Sequence, residues 1–178
     1  MKAHLALRHA TRARHEEVDA AFGRFRLDDR AGYAAFLQTQ AAAHLPVERA
    51  LEEAGAGQVL PDWAARRRAP LLRADLADLG MAADELPPPS LTGEAAILGA
   101  IYVLEGSRLG GAYLVRGVPL SLPRRFLSAP AAPGSWRALQ AHLDARLADD
   151  AALEAAITAA DTIFACFATA GRQQLELS

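Results

Sequence analysis

The sequence predicts an all-α protein, a single-domain multi-helix bundle over residues 1–178, and three observations carry that expectation. Hydrophobic residues make up 52% of the chain, alanine is abundant and β-branched residues are sparse, a balance that favours helix over strand. Apolar residues recur at helical spacing nearly throughout. Cap-forming residues stand before the apolar stretches, and glycine or proline stands after them. The length suits one buried core and leaves little for a second.

The elements follow in order. A first helix is expected from about Ala3 to Phe22, with Leu7, Thr11, Val18 and Phe22 on one stripe. Asp28-Asp29 supply the N-cap of a long second helix, Ala31 to about Ala54, which Gly55-Ala56-Gly57 ends. Pro61-Asp62 opens a third that carries Trp63, Leu71, Leu72, Leu76 and Leu79 as far as Gly80, and Pro87-Pro88-Pro89 is a stiff spacer. Thr92-Gly93-Glu94 begins the fourth helix, read through Ser107. Its pattern continues past Gly106, Gly110 and Gly111 into Ala112–Val115, which predicts a bend rather than an end. From Gly117 to Gly134 the prolines leave room for a short helix at most. Trp136 to Leu147 and Ala151 to about Leu175 complete the set.

Charge and cysteine usage narrow the function classes. A formal net charge of −2 gives no global attraction to nucleic acid or an anionic membrane. The single cysteine, Cys166, lies in the apolar run Ile163–Phe167 and reads as a small core residue, since one thiol builds neither a disulfide framework nor a CxxC site. The N-terminus enters an amphipathic pattern directly, and no apolar run reaches the ~20 residues that span a bilayer. A soluble cytoplasmic protein, with neither nucleic acid nor membrane as partner, is the expectation.

Of the five histidines, His15 occupies the edge of the buried stripe of the first helix. Asp19, four residues on, faces it across one turn. Such a pair is either a surface ion pair or a metal-binding imidazole whose second nitrogen is held by a carboxylate. His9 is expected to point elsewhere and His4 to lie at a fraying end. His44 and Glu48 share an i, i+4 spacing, which fits either a metal pair or a polar residue at the rim of the core. The last helix offers Asp161 and Glu154 but no histidine to complete a di-metal set. Three glycines within six residues of a helix destabilise it by about 0.5–1 kcal/mol each relative to alanine. Close helix packing, or a flat ligand lying on the bare backbone, would account for them.

These segments together resemble the haem oxygenase family, especially its compact bacterial members. The run Leu7-Arg8-His9-Ala10-Thr11-Arg12-Ala13-Arg14-His15 is similar to the family's proximal helix. Tyr102-Val103-Leu104-Glu105-Gly106-Ser107-Arg108-Leu109-Gly110-Gly111 is similar to its glycine-rich distal helix. The resemblance implies that haem b is both cofactor and substrate, sandwiched between these helices with its iron on His15. It implies cleavage by O2 and external electrons to biliverdin, carbon monoxide and ferrous iron. Gly106, Ser107, Gly110 and Gly111 would form the catalytic distal wall. Arg8, Arg12 and Arg137 would meet the propionates, with Thr11 and Tyr102 beside the haem and Asp19 behind His15; Arg108 is a further candidate.

The electron donor implied is a ferredoxin, a reductase or ascorbate, and a bilin-accepting phytochrome could take the product. The run Arg66-Arg67-Arg68 reads as solvated, with docking of an acidic reductase domain or ferredoxin as its functional reading. Two departures stand out. Ser107 replaces the aspartate that many members carry, bringing a hydroxyl without charge, and Ala141 stands where some relatives have a propionate-binding arginine. A haem carrier or sensor, and a haem-free di-metal relative, are the competing functions.

Overall fold

A computed structural model describes residues 1–177, and among them there are helices and no strands. The order is α1 (Ala3–Ala10), α2 (Arg12–Phe22), α3 (Arg30–Glu53), α4 (Ala56–Val59), α5 (Trp63–Arg66), α6 (Ala69–Asp78) and α7 (Glu94–Leu114). A 3₁₀ turn at Val115–Gly117 leads to α8 (Arg125–Ser128), α9 (Ser135–Arg146) and α10 (Asp150–Glu176). The helices share one apolar core, in which α10 packs along α7, α3 and α2.

The expected first helix is two helices. Thr11 breaks it, with φ −94° and ψ 3°, and its hydroxyl donates to the Leu7 carbonyl at 2.8 Å. A threonine that bonds back to the carbonyl four residues earlier tends to bend a helix, so α2 leaves α1 at an angle set by this residue. The long second helix forms as expected, and Asp29 caps it by accepting from the Gly32 amide at 2.7 Å. Pro46 sits inside α3 and cannot donate to the Ala42 carbonyl. The Leu86 amide, from the irregular stretch before α7, takes that carbonyl instead at 2.9 Å.

The third helix departs from expectation. It is split into α5 and α6 because Arg67 is extended, with φ −64° and ψ 135°. A buried carboxylate explains the break. Glu48, on α3, accepts from the amides of Arg68 at 2.9 Å and Ala69 at 3.0 Å, which are the open N-terminal groups of α6. The chain therefore enters α6 where Glu48 stands, and the side chains of the arginine run part company.

α9 and α10 match their expected places to within a residue or two and α8 is the short helix of the proline-rich stretch, whereas the one-turn α4 forms where only a helix end was expected. By length and composition alone α10 is long and apolar enough to cross a membrane, against the expectation from the sequence. Its apolar residues Ala160, Ile163, Phe164 and Phe167 are buried against the other helices. Cys166 is half-buried there, and burial pushes its thiol up.

One glycine outside the distal cluster is the tightest packing point. A Cβ on Gly99 would stand 2.1 Å from the Ala156 carbonyl oxygen, so α7 and α10 touch backbone to backbone there. Gly99→Ala is expected to lower the unfolding free energy by about 1–3 kcal/mol through overpacking, measured by urea denaturation, whereas Gly57→Ala should leave it nearly unchanged.

Candidate active site

A cavity of about 790 Å³ opens between the α1–α2 pair and α7, within the ~300–1,000 Å³ usual for small-molecule sites. Arg8, Thr11, Arg12, His15 and Asp19 form one wall, and Tyr102, Gly106, Ser107, Gly110 and Gly111 form the other. Phe36 and Gln40 of α3, Phe126 and Leu127 of α8, and Phe164 and Phe167 of α10 close the apolar end. Trp136 and Gln140 of α9 close the side at which Tyr102 stacks near Trp136, ring centroids 5.9 Å apart.

The two explanations for the glycines separate by position. A Cβ on Gly106 or Gly110 would meet nothing within 4 Å, so these two expose bare backbone to the cavity. Gly111 also lines it, but its Cβ would press on Leu127 at 3.3 Å, which makes it a packing glycine as well. The helix continues unbroken through all three.

On the opposite wall, His15 Nδ1 lies 3.2 Å from Asp19 Oδ2, and the ring meets Phe164 edge-on at 5.9 Å. Both partners are more than half exposed, as expected at a cavity rim. A proton on Nδ1, on the side of the Asp19 carboxylate, would leave the Nε2 lone pair free for a metal. Arg8 lines the cavity without an ionic partner, whereas Arg12 pairs with Glu16 at 2.9 Å. The Tyr102 phenol is pushed up by burial, against the opposing influence of Thr11 and Arg8 beside it.

Four expectations need correction. His9 lines the cavity rather than pointing away from it. His4 does not fray: its backbone amide and Nδ1 both reach the Asp144 carboxylate, at 3.0 and 2.8 Å, which ties α1 to α9. Arg137 is exposed and lies outside the cavity lining, although Trp136 and Gln140 on either side of it belong to that lining. The arginine run is not a solvated face. Arg66 and Arg68 are 6% and 2% exposed, because the split between α5 and α6 turns them inward.

These buried arginines hold the back of α7. Arg68 donates to the Leu104 carbonyl at 2.8 Å and to Ser107 Oγ at 2.7 Å, with its guanidinium over the Phe126 ring. Ser107 in turn donates to the Leu104 carbonyl at 3.0 Å. Its one proton is therefore used inside the protein, and what it can offer the cavity is an acceptor lone pair. Arg66 pairs with Glu105 at 2.8 Å, and Arg108 bridges Glu105 and the Arg66 carbonyl rather than reaching the cavity. Desolvation lowers Arg68 to about 10, and it stays charged near neutrality.

His44 lies deep in the core at 1% exposure, not at its rim, and its Nε2 is 2.9 Å from Glu48 Oε2. Burial holds His44 below its ordinary value of 6.5 and hence neutral. For Glu48, burial alone would raise the carboxyl, but the bonds from His44 and from the Arg68 and Ala69 amides outweigh it and hold the group ionised. Glu48 is thus spent on hydrogen bonds, and the described residues contain no group of three or more His, Cys, Asp or Glu able to hold a metal ion. The missed signal was the adjacency of Arg68 to the start of α6, which only the Glu48 contact reveals.

The cavity thus sets His4, His9 and His15 on the α1–α2 wall against the bare backbone of Gly106 and Gly110 on α7. The chain is 42% identical over 113 residues to a haem oxygenase of Xanthomonas campestris pv. campestris (strain 8004), an alignment covering 60% of this chain and 68% of that protein. It superposes with a TM-score of 0.85 on the NO- and CO-bound haem oxygenase of Neisseria meningitidis, at 26% identity over 100% of this chain and 94% of that one. No protein-family model matches the sequence. The chain belongs to the haem oxygenase family.

The His44–Glu48 pair makes stability depend on pH. A histidine whose native value is depressed takes its proton in the unfolded chain first, so unfolding gains as pH falls through 6.5. Glu48 adds the same sign below 4.5, where the unfolded carboxylate protonates before the native one. Urea midpoints are expected to fall between pH 7 and 5, and His44→Gln should flatten that slope.

Proposed function

We propose that this chain cleaves haem with dioxygen and externally supplied electrons to biliverdin, carbon monoxide and ferrous iron, and that it binds the iron through His15. The observation that carries the reading is the pairing of His15 on one wall with the Cβ-free stretch at Gly106 and Gly110 on the other. A macrocycle entering there needs a ligand on one face and close, unobstructed backbone on the other. When bound, haem supplies the redox-active iron and the meso carbons that are oxidised, being substrate as well as cofactor.

The chain's own residues have separate tasks in this scheme. The Asp19 carboxylate, 3.2 Å from His15 Nδ1, would favour a proton there and leave Nε2 for the iron. A neutral imidazole on the iron would donate less electron density to it than a thiolate would. Arg8, unpaired on the cavity wall, receives a propionate, and the Tyr102 phenol stands beside it as a neutral donor. Arg12 can join by exchanging Glu16 for the second carboxylate. The bare backbone at Gly106 and Gly110 would let the macrocycle lie close against α7, and Gly111 keeps Leu127 packed beside it. Ser107, its proton committed to Leu104, orients a water as an acceptor and supplies no proton itself.

Reconstitution with haem followed by ascorbate under air tests the activity: the Soret band should decay as biliverdin absorption grows, and a stable Soret band would leave only haem binding. His15→Ala should abolish the five-coordinate histidine signature in resonance Raman spectra, while an unchanged spectrum would remove His15 as ligand. Gly106→Leu, filling open space, should weaken haem binding by about tenfold or more, or ~1.4 kcal/mol, without lowering the melting temperature.

A further inference from the structure

A second, smaller cavity opens where α3 passes the start of α6. Its volume is about 260 Å³, and it shares no lining residue with the first. Leu45, Glu48, Arg49 and Glu52 line it from α3, at i, i+3, i+4 and i+7 on one helix face. Arg67 and Arg73 line it from the other side. Arg67 reaches it because it is the extended residue between α5 and α6. Its neighbours Arg66 and Arg68 turn inward, and alternation along an extended backbone sends Arg67 the opposite way. Three arginines, from two helices and the joint between α5 and α6, thus face one small cleft.

Most of their donors are unused. A guanidinium carries five N–H groups. Arg49 and Arg73 each use one, on opposite oxygens of Glu85 at 2.8 and 3.3 Å. Glu52 Oε1 comes within 2.7 Å of Arg67 Nε, but out of line with the N–H, which stays buried and unpartnered. Glu85 belongs to the irregular stretch before α7 and to neither helix. Its carboxylate shows that Arg49 and Arg73 accept an oxyanion brought in from outside. Two carboxylate oxygens suffice for two guanidiniums. The third, Arg67, calls for an ion with more.

We propose that this cleft is a binding site for a phosphate-class oxyanion, held by Arg67 together with Arg49 and Arg73. A tetrahedral ion presents oxygens to all three, and the planar fork of arginine suits it to bidentate phosphate contacts. The balance of charge sets the terms. Glu48, Glu52 and Glu85 oppose the three arginines, so an entering anion must displace a carboxylate. Glu48 is not free to leave, because the His44 ring and the Arg68 and Ala69 amides hold it. Glu52 is 39% exposed, is paired only with Arg67 among the described residues and can turn to water. A dianion in its place brings one more negative charge to the three cations. The ion then lies beside Glu48, the carboxylate that fixes the start of α6, so the site adjoins the network behind α7.

The test is calorimetric titration of the full chain with inorganic phosphate at constant ionic strength, where saturable binding of one ion per chain is expected. Arg67→Gln/Arg73→Gln should weaken it by about tenfold or more, on the scale of hydrogen bonds to a charged partner. Glu52→Gln should tighten it about two- to fivefold by removing the competing charge, a gain that damage to the fold would not produce. Arg8→Gln, in the first cavity, should leave the affinity within about twofold. Phenyl phosphate distinguishes two sources of this chemistry: affinity equal to that of the free ion marks a phosphoryl group on a larger molecule, and exclusion marks the free ion itself. Absence of phosphate binding overturns the proposal, and so does an affinity that neither the arginine variant nor Glu52→Gln changes. A loss of binding in Arg8→Gln would place the ion in the first cavity and overturn it equally.

Discussion

The Glu48 carboxylate is buried, at 1% exposure, and its satisfaction organises much of what surrounds it. A buried carboxylate needs several donors, and here they are the His44 ring and the Arg68 and Ala69 amides. Meeting that need breaks the chain between α5 and α6. The break sends Arg68 inward under Phe126 to reach Leu104 and Ser107, and Arg66 inward to reach Glu105. Three helices, α3, α6 and α7, are thereby fixed around one charge. The glycine stretch that borders the cavity is held from behind by this network and is free of side chains in front.

The apolar spacing made most of the helices legible, since each buries one face and carries its own caps. Asp29 and Asp149 cap α3 and α10 by the side-chain chemistry that makes aspartate recognisable at helix starts. What escaped the sequence was non-local. Nothing within Arg66-Arg67-Arg68 tells a solvated run from one folded inward, because the deciding partner lies twenty residues earlier. Thr11 fits the apolar stripe of its helix, and only its bond to Leu7 shows that it interrupts it. His4 and Asp144 are 140 residues apart, and no spacing rule connects them.

The site was legible in a different sense. His15 with Asp19 was an ordinary helix pair by spacing, and the glycine cluster had two physical explanations of similar merit. Tertiary structure divides the glycines: Gly106 and Gly110 face empty space, Gly111 shares its neighbourhood with Leu127, and Gly99, which drew no notice, carries the closest helix contact. At 26% identity to the Neisseria meningitidis enzyme the backbone still superposes at a TM-score of 0.85. That agreement fits a fold maintained by how closely its helices approach, with much latitude in which apolar residues fill the space between them.

The interruption at Thr11 divides the wall of the cavity between two helices that are held to different parts of the bundle. Arg8 travels with α1, which Asp144 moors through His4, while His15 travels with α2, which Arg14 moors to α10 through Asp161. The residue proposed to receive a haem propionate and the residue proposed to bind the iron thus stand on different helices. If haem is held as proposed, substitutions at the His4–Asp144 contact would act on the helix that carries Arg8, and substitutions at the Arg14–Asp161 contact on the helix that carries His15.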